Sequence, residues 1–145
     1  MLMPRPLEIV RSHRLAGWLG ALLVLIPALL IAAEPRAATV RLVVDYGDGV
    51  ETHFTAIPWR KGMTVLDALK AAQMHRRGIK FAQRGSGSSA LITKIGDVEN
   101  EGGGQTSKNW MYRVNDKPAE VGAGVLELTP GDVILWKFQV YDYNS

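Results

Sequence analysis

In this 145-residue chain, His53, His75 and the serines Ser86, Ser88 and Ser89 are the residue types that could transfer a proton or attack a carbonyl. Their placement does not assemble such a site. His53 falls on the polar face of a predicted strand. His75 falls at a predicted helix end, where the dipole favours positive charge. The three serines share the loop "QRGSGSS", which lacks the Gly-x-Ser-x-Gly elbow that exposes a nucleophile. "GGGQTSK" approaches a phosphate-binding loop, but Ser107 stands where the second glycine is required. Asp97, Glu99 and Glu101 offer carboxylates without the spacing of a calcium loop, and they read as a solvated acidic loop. Arg76, Arg77, Lys80 and Arg84 form a basic cluster that reads as a solvated helix end. With no cysteine there is no thiol catalysis, disulfide or thiolate metal site. The expectation is a non-enzymatic protein with no resident metal or cofactor.

The aromatic residues are the remaining candidates, as stacking surfaces for a ligand. Trp110, Tyr112 and Val114 alternate onto one strand face, opposite Met111, Arg113 and Asn115. Burying Arg113 and Asn115 unpaired is costly, so the tryptophan face is the expected core. Ile134, Trp136, Phe138 and Val140 make the same argument for the last strand. Trp110 is the expected exception, because it starts its strand beside the glycine-rich loop. Trp59, just before the helix, is a second candidate for an exposed ring. Asn115-Asp116 reads as a tight turn, since both residue types tolerate positive φ. The candidate ligand-binding residues are therefore Trp59, Trp110, Tyr112 and Asn115, with the loop tips 85–89, 96–108 and 115–117 as the contact surface.

The elements that position them follow from periodicity. "TVRLVVDYGDGVETHFTAI" reads as a hairpin turning at Asp48-Gly49, with Val50, Thr52, Phe54 and Ala56 on its second strand's apolar face. Thr64 is a predicted N-cap with Asp67 three residues on, a capping-box spacing. Val65, Leu66, Leu69 and Ala72 form one helical stripe, His75, Arg76 and Arg77 occupy the last turn, and Gly78 stops the helix. Short strands are expected at 79–81, 91–95, 110–115, 125–128 and 133–140. One amphipathic helix must be covered by one mixed sheet, which is an α+β, β-grasp-like arrangement.

Ahead of this domain, Arg5, Arg11 and Arg14 precede the uncharged run Leu15–Ala33, an expected N-terminal hydrophobic helix. At 1.5 Å per residue the run spans about 28 Å, close to a bilayer's hydrocarbon core. It reads as a signal anchor that holds the chain in the membrane, or as a cleaved signal peptide, although no Ala-x-Ala site stands near its end. Residues 1–38 are thus leader and short linker, and 39–145 an extracytoplasmic domain, periplasmic, secreted or tethered. Most of the net charge of +3 lies in the leader, so a nucleic-acid surface is not expected.

"GMTVLDALKAA", "ITKIGDV", "NWMYRVNDKPAEVGAGVLEL" and "PGDVILWKF" occur in that order. Together they resemble a bacterial family of domains of unknown function that is similar to the C-terminal domain of transcobalamin. Asn109 stands where that family's glycine precedes the tryptophan, and Asp116 where its turn glycine is usual. The resemblance implies a β-grasp fold and an exported binding module, with cobalamin or another flat or sugar-like molecule as ligand. It implies ligand contacts at Trp110, Tyr112 and Asn115. The alternative is a structural or adaptor domain that binds a protein partner at the cell surface.

Overall fold

A computed structural model describes residues 36–141. The leader run Leu15–Ala33 and its expected helix lie outside the described residues. No helix among the described residues is long and apolar enough to cross a membrane.

The domain is α+β. Strands β1 (Thr39–Asp45) and β2 (Glu51–Pro58) precede helix α1 (Val65–Met74). Then come β3 (Phe81–Arg84), β4 (Leu91–Ile95), β5 (Val98–Glu99), β6 (Lys108–Val114), β7 (Lys117–Pro118) and β8 (Val133–Val140). Five strands make one mixed sheet in the order β2-β1-β8-β6-β7, and β3-β4-β5 make a smaller antiparallel sheet. At the centre β1 runs parallel to β8, with Leu42 opposite Ile134 and Val44 opposite Trp136. The outer pairs β1–β2 and β6–β8 are antiparallel.

The helix starts where its cap dictates. Thr64 Oγ1 accepts from Asp67 N at 3.2 Å, and Asp67 Oδ2 accepts from Thr64 N at 3.1 Å. Val65, Leu66, Ala68, Leu69 and Ala72 are buried, and they share one core with Val40, Leu42, Val44, Ile134 and Trp136. Each large side chain so buried contributes about 1.5–3 kcal/mol.

The structure corrects four local expectations. The hairpin's second strand does not keep its alternation. Val40 pairs with Ile57 and Leu42 with Phe54, so Thr55 and Ala56 together oppose Arg41 in a bulge. The extra residue reverses the parity, so Ile57 is buried and Ala56 exposed. The helix ends at Met74, before the predicted basic turn, because His75 is already extended at ψ 150°. Its ring meets Phe54 edge-on, with centroids 5.6 Å apart. Gly78 follows in close contact, since a Cβ there would lie 2.3 Å from the Gln73 carbonyl oxygen. The strand expected at 79–81 is instead Phe81–Arg84.

The stretch expected as a strand at 125–128 makes a single bridge, Thr64 to Glu127. Leu126 O from this stretch and Ala123 O just ahead of it are used at the helix start. Val65 N donates to Leu126 O at 3.0 Å and Leu66 N to Ala123 O at 2.8 Å. The first N–H groups of a helix have no partner within it, and this segment supplies them. Just ahead of it, Gly122 and Gly124 pack tightly on the 3-10 turn Gly87–Ser89. A Cβ on Gly124 would lie 2.4 Å from Gly87 O, and one on Gly122 2.3 Å from Ser88 O.

Candidate functional site

Between the small sheet and the head of β6 lies a cleft of about 630 Å³. Arg84, Leu91, Lys94, Glu99, Trp110 and Met111 are among its lining residues. Its floor is set by two asparagines. Asn100 accepts from Trp110 N at 2.8 Å and donates to Ile92 O at 2.9 Å, tying β4 to β6. Asn109 accepts from Gly102 N at 3.1 Å and donates to Gly102 O at 2.9 Å, pinning the glycine-rich loop. Both amides are therefore committed to the scaffold. Leu91 is 53% exposed and Met111 half-buried. Lys94 pairs with Glu99 at 3.2 Å. Arg84 has no carboxylate partner among the described residues, which leaves a free guanidinium at the mouth.

The outer edge of β6 borders this cleft. Strand geometry points the backbone groups of Lys108, Trp110, Tyr112 and Val114 away from β8. Lys108 N donates to Glu101 Oε2 at 2.6 Å, and Lys108 O accepts from Glu101 N at 3.0 Å. Trp110 N is held by Asn100, and Tyr112 O accepts from Ala119 N at 3.3 Å. Val114 pairs with Lys117 across the turn. The Trp110 carbonyl and the Tyr112 N–H have no hydrogen-bond partner among the described residues.

The four ring and amide candidates do not share a lining. Trp110 is 3% exposed. Its Nε1 donates to Val98 O at 2.9 Å, and its ring sits against Tyr46 and Phe138 at 5.5 and 5.4 Å. A ring so enclosed fills the core and offers no open face for stacking. Tyr112 donates its hydroxyl to Val121 O at 2.6 Å and lies over Trp136 at 5.0 Å. Burial raises its pKa above the ordinary phenol value. Among the described residues the buried Trp136 Nε1 has no acceptor. Trp59 is half-buried and donates to Leu128 O at 2.7 Å.

Asn115 and Asp116 have φ of 51° and 64°, so the tight turn expected there is formed, and it joins β6 to the short β7, which was not expected. Asn115 also accepts from Val133 N at 2.9 Å and donates to Asp132 at 2.8 Å, so it ties that turn to β8. Burial would raise the pKa of Asp132, but hydrogen bonds from Thr129 and Asn115 outweigh it and lower the value.

The remaining chemistry-bearing residues are dispersed. His53 meets Glu51 at 2.7 Å on the exposed side of β2. Ser89 bonds back to Ser86 O at 2.9 Å. Glu101 is taken by Lys108 N. Among the described residues no three His, Asp or Glu side chains converge in a way that could hold a metal ion.

Asp45 is a special case among the carboxylates. It is 9% exposed and bonds Lys137 Nζ at 2.7 Å. The Lys137 hydrogen bond, helped by Gly47 N–H and opposed by burial, lowers its pKa below the ordinary value. A carboxylate lowered by folding adds stability above its unfolded pKa and loses it as pH falls through the folded one. Unfolding free energy should therefore decline below about pH 4, and Asp45→Asn should flatten that decline in a pH series of urea titrations.

Residues 62–140 match a family described as a domain of unknown function, DUF4430. The chain belongs to this family. The assignment agrees with the resemblance carried by the four sequence motifs. The DUF4430 domain is also similar in fold to a solved protein from Ruminococcus gnavus, named provisionally as metal binding. The two align with a TM-score of 0.57 at 12% identity, covering 72% of this chain and 99% of the other. No curated protein matches the chain.

Asn100 and the open stretch of the β6 edge went unrecognised in the sequence. The only available signal was an asparagine beside the acidic loop, which carries no periodicity.

Proposed function

We propose that this chain is an exported, non-catalytic binding module of the β-grasp kind that takes its ligand in the cleft beside β6. The observation that carries the reading is the cleft itself. Its volume of about 630 Å³ falls in the usual range for small-molecule sites. Its lining mixes exposed apolar surface at Leu91 with Arg84, a cation that has no carboxylate partner among the described residues. The parallel central pair and the one α-helix among the described residues support the β-grasp assignment. Export is supported by the arginines and apolar run ahead of the domain, whether that run tethers the chain or is removed.

The metal-binding name of the structural relative suggests a cation as ligand. The donor set of the described residues suits an organic molecule better, because no three carboxylates or imidazoles converge. The likeness to the transcobalamin C-terminal domain makes a corrinoid the first probe, and its phosphate could meet Arg84. Calorimetric titration of hydroxocobalamin into the full chain in detergent should give saturable heat at one site. Arg84→Glu should weaken it about tenfold or more, as expected for loss of a charge-assisted hydrogen bond. Absence of saturable heat at high micromolar ligand would remove the corrinoid. A protein partner at the same surface is the second reading, favoured by the two backbone groups of β6 that have no partner among the described residues.

A further inference from the structure

We propose that the outer edge of β2 is a self-association surface. A second copy of this chain pairs with it antiparallel, about a two-fold axis at Thr52, so that each Glu51 lies opposite the other copy's His53. This surface is separate from the cleft beside β6 and does not depend on what that cleft binds. β2 ends the five-stranded sheet, with β1 on one side and no strand on the other among the described residues. Tyr46 N donates to Val50 O at 3.0 Å, which fixes the alternation of the hairpin. Val44–Thr52 and Leu42–Phe54 are then its hydrogen-bonded pairs, and the backbone groups of Glu51 and His53 point outward. Those outward groups have no hydrogen-bond partner among the described residues.

The side chains select the register. In a symmetric antiparallel pair, outward groups must meet outward groups. Setting Glu51 on itself brings two carboxylates together, and setting His53 on itself brings two imidazoles together. Setting His53 on Thr55 runs the pairing into the Thr55–Ala56 bulge. Setting Glu51 on His53 places unlike groups opposite each other on both sides of the axis. His53 already meets Glu51 of its own chain at 2.7 Å, so acid and imidazole alternate both along and across the paired edges.

The same register matches the apolar surface. Val50 is 57% exposed and shares a face of β2 with Phe54. In the pair it falls opposite the second copy's Phe54. Beside Phe54 lies a groove of about 250 Å³ between β2 and α1, lined by Ile57, Ala71, Ala72 and His75 among others. The exposed valine of each copy thus enters the groove of the other. The pairing also stops where both strands cease to be regular. Past Phe54 comes the bulge, and opposite it the second copy has reached its turn at Gly49, with φ of 93°. These matches are self-complementary, which is what an isologous contact between identical copies requires. So short a contact is weak in dilute solution, and a covalent trap reveals it best.

The chain has no cysteine, so single cysteines report on the pairing cleanly. At the axis, Thr52 faces the second copy's Thr52 as a non-hydrogen-bonded pair, with Cα atoms about 4.5 Å apart, inside the range a disulfide spans. Thr52→Cys and Glu120→Cys are made in the full chain in detergent, oxidised with copper-phenanthroline and followed on non-reducing gels. Glu120 is exposed and lies beyond β7, at the other end of the sheet, so it reports dimers formed in any other way. Thr52→Cys should cross-link about tenfold or more faster than Glu120→Cys. Adding His53→Glu should slow the Thr52→Cys reaction about fivefold, and adding Glu51→Lys to that variant should restore it. Both positions are exposed, so these variants keep the fold. Equal rates at Thr52 and Glu120 overturn the proposal. So does a His53→Cys chain that cross-links faster than Thr52→Cys, or a Thr52→Cys rate indifferent to His53→Glu.

Discussion

Trp110→Ala is expected to lower the free energy of unfolding by about 3–5 kcal/mol. The ring is 3% exposed and packed on Tyr46 and Phe138, so its removal leaves a cavity that neighbours fill only in part. It also orphans the Val98 carbonyl, which accepts the indole N–H. Domains of this size are stable by about 5–15 kcal/mol, so the variant should unfold at far lower urea, with its folded fraction measurably reduced even in buffer. The measurement separates the two roles considered for this ring. A loss below about 1 kcal/mol would mean a surface ring, free to stack on a ligand, and would reopen the assignment of Trp110 to the core.

Asn100→Ala should cost about 2–4 kcal/mol, more than its size suggests. The side chain bridges two elements that share no strand pairing, β4 through Ile92 O and β6 through Trp110 N. Truncation leaves a donor and an acceptor unpaired, at about 1–3 kcal/mol for each buried group. Asn100→Asp should fall between alanine and wild type. It keeps the acceptor for Trp110 N, lacks the donor for Ile92 O, and sets a carboxylate against that carbonyl. Amide exchange at Trp110 should quicken sharply in the alanine variant and much less in the aspartate one. Equal exchange in all three would show that this asparagine does not hold the edge.

The features legible in the sequence were those written in short-range chemistry. Thr64 and Asp67 announce a helix start because each serves the other's backbone three residues away. Asn115-Asp116 announces a turn because both residue types accept the φ that such a turn requires. The strands Leu91–Ile95 and Val133–Val140 have the expected bounds, since period-two patterning is also local. The bulge at Thr55–Ala56 was invisible because it depends on what β1 needs opposite it. The segment at 125–128 has strand-like residues, but Leu126 O is drawn to Val65 N at the start of α1, a demand set more than fifty residues earlier. The site suffered most from this. Asn100 and the Trp110–Tyr112 gap are defined by which distant groups meet, and no composition or spacing encodes that. Trp110 looked reachable from its place beside glycines, yet Tyr46 and Phe138 close over it.

The pairing of β1 with β8 puts the earliest and latest strands of the domain side by side at the middle of its sheet. A chain emerging from a ribosome, or threading a translocation pore, makes β1 and β2 long before their central neighbour exists. The hairpin and α1 can form early, but the apolar residues of β1 wait for Ile134 and Trp136. Closing so long a loop is slow, and it must wait for β8. Until β8 arrives, the hairpin and α1 have only a partial core to rest on, so a chain shortened ahead of Val133 should hold neither half of its central sheet.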